Sequence, residues 1–228
     1  MRVSAFSIAL FAALGHKQEN ITVLPLFHTY ELPYAEHHYN VPRLLAYGRW
    51  ANNKQHAELV KFCAEKSISL RCFGDKDQLN EFRENYKQAT KYAKGIPNIC
   101  ISGKIHAKEE FEQQFKHNNI YINPSKHEGF SMPTIEAMAH SMPVLLRKGT
   151  AMDELITHGK EGYLFSDLKE IPLLIDMIMK NYNTYAKAAY ERSKDFTYEK
   201  YKERYLKALS YASEGLAVLE VYHPKEKI

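Results

Sequence analysis

Six short apolar runs, each followed by a longer stretch with helical spacing, constrain this 228-residue chain more than any other feature. The runs lie at 43–47, 68–73, 98–102, 120–123, 143–146 and 162–165; between them 53–66, 77–94, 108–117, 132–140 and 153–158 read as helices. A strand covered on both faces has no polar side to present, so its apolar residues run on without alternation. Alternation of such strands with helices implies a parallel sheet joined by crossover helices. The expected fold class is therefore α/β, a Rossmann-like parallel sheet with helices on both faces. Ligands of such sheets collect at the carboxyl ends of the strands, where helix N-termini gather. The loops after Tyr47, Phe73, Ser102, Asn123 and Leu146 are the first places to search.

After Phe165 the alternation stops, and 168–180, 184–193 and 198–212 read as successive helices. Residues 28–42 are polar and aromatic, carry Pro33 and Pro42, and read as an interdomain linker. The division is then a remnant of a preceding domain at 1–27, the linker at 28–42, a ligand-binding α/β domain at 43–180, and C-terminal helices and tail at 181–228. The apolar run from Val3 to Leu14 also fits a short signal peptide, but a bilayer span takes about 20 residues.

Net charge is +4, and from Lys180 to Ile228 ten Lys or Arg face seven Asp or Glu. That balance is too weak for nucleic acid and permits at most a peripheral contact with an anionic membrane. Cys63, Cys72 and Cys100 sit in apolar stretches without a CxxC pair. They read as buried thiols of a reducing compartment, so a cytoplasmic protein is expected, with peripheral placement at the inner membrane face compatible.

The chemistry concentrates in Pro124-Ser125-Lys126-His127-Glu128-Gly129-Phe130-Ser131-Met132-Pro133-Thr134-Ile135-Glu136. This segment leaves a strand, turns through a glycine-containing loop and opens a helix. Ser131 suits an N-cap, and Pro133 suits the first turn, where its missing N–H costs nothing. Free N–H groups and the positive end of the helix dipole there favour an anion such as phosphate. Glu128 in the loop and Glu136 in the helix can face one crevice and accept hydrogen bonds from hydroxyls. A second segment, Leu45-Ala46-Tyr47-Gly48-Arg49-Trp50-Ala51-Asn52-Asn53-Lys54, places a sharp turn at a strand end. Arg49 offers a planar fork for a diphosphate, and Lys54 a point charge before a helix.

These two segments resemble glycosyltransferase family 4. Glu128-Gly129-Phe130-Ser131-Met132-Pro133-Thr134-Ile135-Glu136-Ala137-Met138-Ala139-His140-Ser141-Met142-Pro143-Val144 is similar to the family's EX7E segment, with Ser131 and Ser141 where the family carries glycine. Gly48-Arg49 followed by Lys54 resembles its G-R-x4-K element. Cys72-Phe73-Gly74-Asp75, Ser102-Gly103-Lys104-Ile105 and Asp153-Glu154-Leu155-Ile156 with Gly159 and Gly162 resemble further loops, so the likeness covers about 43–206. Residues 4–26 are similar to the last helix and strand of the family's N-terminal domain.

The resemblance implies the C-terminal, donor-binding domain of a retaining GT-B enzyme, with a UDP- or GDP-sugar as substrate and no metal or other cofactor. It gives Arg49 and Lys54 the donor diphosphate, Glu136 the ribose hydroxyls, and Glu128 with the N–H groups of Gly129, Phe130 and Ser131 the sugar ring. Gly48, Gly74, Gly103, Lys104, Ile105 and Met132 border the nucleotide. Glu128, Arg49 and Lys54 are the implied catalytic residues, acting by orientation and charge stabilisation. The acceptor, a glycan or lipid-linked glycan, belongs to a first domain that has no counterpart beyond residue 27. A partner chain supplying that domain, or self-association through an exposed cleft face, is therefore expected. A non-catalytic nucleotide-sugar-binding subunit is the alternative. Asp75-Lys76-Asp77 matches a metal-binding D-x-D pattern, but so short a motif carries little weight beside a helix start.

Overall fold

The computed structural model describes residues 26–34, 36 and 39–213. Residues 1–25 of the remnant expected at 1–27, and the end of the tail, 214–228, lie outside the described residues. Strands β1 (Leu44–Tyr47), β2 (Leu70–Phe73), β3 (Ile99–Ser102), β4 (Ile120–Asn123), β5 (Val144–Arg147) and β6 (Gly162–Phe165) form one sheet. Every pairing is parallel, in the order β3-β2-β1-β4-β5-β6. Each apolar run thus became a strand ending within one residue of its expected end.

The helices are α1 (His56–Glu65), α2 (Asn80–Ala93), α3 (Lys108–His117), α4 (Met132–Ala139), α5 (Ile171–Lys180), α6 (Tyr182–Ser193) and α7 (Tyr198–Ser213). Side chains alternate across the pleat, so β1 feeds two cores. Leu44 and Ala46 pack with Leu59, Val60 and Cys63 of α1 on one face. Leu45 and Tyr47 pack with Ile135 and Met138 of α4 on the other. Each fully buried aliphatic side chain contributes about 1.5–3 kcal/mol, enough to fix register against a one-residue slip.

The chain winds outward from β1 through β2 to β3, then returns past β1 to β4, β5 and β6. Winding therefore reverses between β1 and β4, and ligands of such sheets bind beyond the carboxyl ends at a reversal of this kind. The turns after β1 and β2 each require glycine. Gly48 has φ 146° and Gly74 has φ 157°, and a Cβ on Gly74 would stand 1.5 Å from the Gly48 carbonyl oxygen.

Three expectations need correction. Residues 153–158 do not form a helix; a single 3-10 turn at Ala151–Glu154 stands there. Six residues are too few to repay helix nucleation, and local caps take over: Thr150 Oγ1 accepts Met152 N and Asp153 folds back onto Gly149 N. The first helix begins at His56 rather than Asn53, because Gln55 adopts a left-handed conformation with φ 57°. Cys100 is exposed, unlike Cys63 and Cys72, because β3 is an edge strand.

Part of the expected linker is packed against the C-terminal helices. His28 N donates to Phe196 O at 2.9 Å, Tyr34 Oη donates to Asn183 O, and Tyr39 meets Tyr182 edge-on. No helix among the described residues is long and apolar enough to cross a membrane.

Candidate functional site

The loops leaving β1 and β4 are fastened to each other. Lys126 N donates to Asn53 O at 2.8 Å, and Asn53 Nδ2 donates to His127 O at 3.2 Å. Lys54 Nζ lies 2.5 Å from Glu128 Oε1, with side chains only 14% and 9% exposed. Asn123, the last residue of β4, donates through Nδ2 to Glu128 Oε1 at 3.2 Å and Ser131 Oγ at 3.0 Å. Its Oδ1 accepts Ser125 Oγ and Ser125 N, so the loop is anchored to the strand end. Removal of two charges from water is offset only when their geometry is good and further hydrogen bonds satisfy them, as here. Arg49, by contrast, is exposed and makes no hydrogen bond or ion pair among the described residues.

Ser131 stands at the N-cap position of α4 but does not act as a cap. Its backbone is left-handed, φ 78° and ψ 74°, and its hydroxyl makes no capping hydrogen bond. The hydroxyl turns inward to Asn123 Nδ2 and to Thr134 Oγ1 at 2.8 Å. The N–H groups of Gly129, Phe130 and Ser131 find no acceptor among the described residues. Unpartnered N–H groups and the positive helix end together constitute an anion-binding surface beside Lys54. Pro133 lies in the first turn as expected, and Met132 opens the helix half-buried.

Glu136, one turn into α4, meets β1 rather than the loop. Tyr47 Oη donates to its Oε2 at 2.7 Å, with Pro133 O a second acceptor at 3.2 Å. Burial raises the Glu136 carboxyl above its ordinary range, and the Tyr47 hydrogen bond opposes that rise. Tyr47 stacks on Phe73 at 5.3 Å and meets Phe111, Phe115 and Tyr121 edge-on, so its hydroxyl is rigidly held. Sequence reasoning missed Tyr47; a phenol ending an otherwise apolar buried strand, directly before Gly48, was the available signal.

The remaining sequence-predicted residues lie at the neighbouring strand ends. Gly74 follows β2, and Gly103 and Lys104 follow β3 with Lys104 half-buried. Ile105 is buried with Tyr47 and Phe73. Asp75 Oδ1 accepts Asp77 N and Gln78 N, closing a local turn. Among the described residues no three His, Cys, Asp or Glu side chains are grouped to hold a metal ion. The peripheral Glu154 carries a loop whose carbonyls are held by Arg192, at 3.0 Å from Glu154 O and 2.8 Å from Leu155 O.

The family described as glycosyl transferases group 1 matches residues 36–195, more than half of the chain. A probable sucrose-phosphate synthase of Thermosipho melanesiensis is 31% identical over 120 residues, 52% of this chain and 28% of that protein. Among solved structures, the lipopolysaccharide outer core galactosyltransferase WaaB is similar with a TM-score of 0.70 at 16% identity, covering 92% of this chain and 61% of that one. Anabaena HepE, solved in complex with UDP and glucose, gives 0.64 at 19% identity, covering 74% of this chain and 48% of that one. The chain thus spans about a quarter of its curated relative and roughly half of these solved proteins, whose likeness shows the fold of a GT-B C-terminal domain. With that match over most of the described sheet and both fastened loops, the chain belongs to the glycosyl transferases group 1 family.

Proposed function

We propose that this chain is the donor half of a retaining hexosyltransferase of family 4, holding a UDP- or GDP-sugar in the crevice between β1 and β4. The observation that carries this reading is the meeting of Lys54 and Glu128 beside the unpartnered N–H groups of 129–131. Arg49 and Lys54 neutralise the diphosphate and the charge that grows on the departing nucleotide. The free oxygen of the Glu136 carboxylate accepts a ribose hydroxyl while Tyr47 holds the other. Glu128 and the loop N–H groups orient the sugar, and the backbone of Gly103, Lys104 and Ile105 borders the base.

HepE binds UDP, which supports a uridine nucleotide as the first donor to test. The acceptor, a glycan or lipid-linked glycan, is positioned by a domain or chain facing these loops, since selective stabilisation of the transition state needs both reactants placed. No metal takes part, and the protein works in the cytoplasm or against the inner face of its membrane. A nucleotide-sugar-binding subunit without transferase activity is the second reading, since the same loops would hold the nucleotide in either case. A crystal soaked with UDP tests the site: density for the diphosphate between Arg49, Lys54 and Gly129 is expected. Density anywhere else on the chain would contradict both readings.

A further inference from the structure

We propose that His56 is a donor-binding residue, its Nε2–H hydrogen-bonding a phosphate oxygen of the bound nucleoside diphosphate in the space above Gly48. This inference rests on reading the β1–β4 crevice as the donor site.

His56 is the first residue of α1, two positions after Lys54. The residue is 3% exposed, its ring held edge-to-face against Trp50 at 5.3 Å and with Nδ1 3.2 Å from Cys72 Sγ. Cys72 is fully buried, and burial pushes its thiol far above the usual range, so the sulfur keeps its proton. In the proposed arrangement this retained S–H donates to Nδ1. Burial, reinforced by the Lys54 charge, lowers the imidazole to about 3, so the ring is neutral at physiological pH. A neutral ring whose Nδ1 accepts carries its one proton on Nε2.

That Nε2–H has no acceptor among the described residues. Among the described residues the fully buried side-chain donors without a partner are Trp50 Nε1 and Asn98 Nδ2; His56 Nε2 is not one of them, so this unpaired donor keeps a trace of solvent contact. The ring edge faces the one position in the turn without a side chain: a Cβ on Gly48 would stand 3.9 Å from His56 Cε1 and Nε2, and 3.9 Å from Lys54 Cε. Glycine there leaves a space bordered by an N–H donor, the lysine and the amino end of α1. All three favour an anionic oxygen over a hydroxyl proton. Cys72 on the neighbouring strand β2 thus sets which nitrogen of the histidine meets the ligand.

Long-range proton–nitrogen spectra of the full chain, with and without UDP, test the proposal alongside calorimetry. Free protein should show His56 as the Nε2–H tautomer, and UDP should shift that nitrogen. His56→Phe, checked for folding by its melting curve, should raise the UDP Kd about tenfold. His56→Gln, which restores an N–H donor, should recover most of the loss. An Nδ1–H tautomer, or UDP binding that moves the Arg49 and Lys54 amides while leaving His56 Nε2 unshifted, would overturn the proposal and leave the donor site standing. Failure of the folded wild-type chain to bind UDP would remove the donor-site reading itself, and this inference with it.

Discussion

Lys54 Nζ and Glu128 Oε1 lie 2.5 Å apart, on loops that belong to non-consecutive strands and meet only where the sheet reverses its winding. Neither partner is well solvated, so loss of one leaves a half-buried charge behind. Lys54→Ala and Glu128→Gln should each cost more stability than the double substitution implies by addition. A double-mutant cycle from denaturant melts should return a coupling of about 1–3 kcal/mol. Additive effects would mean that the two charges are independently solvated.

Two serines, Ser131 at φ 78° and Ser141 at φ 60°, adopt the left-handed backbone that favours glycine. Ser141 follows the end of α4, where Ser141 N bonds Met138 O and Met142 N bonds Ala137 O, the pattern that ends helices at a left-handed residue. Its side chain makes no hydrogen bond, so Ser141→Gly should raise stability by about 0.5–1 kcal/mol. Ser131→Gly should gain little, because relief of strain is offset by losing the contacts to Asn123 and Thr134. Thermal melts of the two variants side by side check the contrast.

Gly74→Ala should prevent stable folding. The added carbon would overlap the Gly48 carbonyl oxygen, which belongs to backbone and cannot rotate away. A cost above about 4 kcal/mol is expected, visible as loss of a cooperative melt. A folded Gly74→Ala protein would show that the β1 and β2 turns are looser than described.

Acid should weaken the fold before carboxylate titration does. His56 is held neutral, down to about 3, by burial first and by Lys54 second, and burial also lowers His28 and His140. A histidine free to protonate near pH 6.5 when unfolded but not when folded makes the unfolded chain bind more protons. Stability from this source is therefore complete above about pH 6.5 and is lost as pH falls toward 3, at up to about 1.4 kcal/mol per pH unit for His56. Glu136 acts oppositely: its raised carboxyl favours the fold when protonated, and that contribution fades as pH rises through the folded value. Denaturant melts between pH 4 and 7 should show a slope that His56→Gln reduces and that Glu136→Gln steepens.

Much of this was legible in sequence for a physical reason. Strands buried on both faces announce themselves as unbroken apolar runs, and glycines mark the turns between them, so all six strands and the loops bearing Arg49, Lys54 and Glu128 could be located. What the sequence withheld depends on direction. Nothing in the local pattern says that Ser131 turns its hydroxyl inward rather than over the helix end, since both uses need a serine at that position. Residues 153–158 had helical composition but only room for one turn. The engagement of Glu136 by Tyr47 joins residues 89 positions apart, and only the register of β1 beside α4 reveals it.

Tyr47→Phe tests that engagement. The ring packing on Phe73 is retained, so the melt should hardly move, while Glu136 loses the donor that orients it. UDP affinity should fall several-fold, consistent with loss of about 1–1.5 kcal/mol. Unchanged affinity would show that Glu136 needs no such support.

Calorimetric titration of the purified chain with UDP and GDP, beside Arg49→Ala and Glu136→Ala, bears on the central claim most directly. Saturable binding of one nucleotide, weakened at least tenfold by each substitution while both variants melt like the parent, is the predicted result. A folded wild-type chain that binds neither nucleotide, or binding indifferent to both substitutions, would contradict a donor site at the β1–β4 crevice.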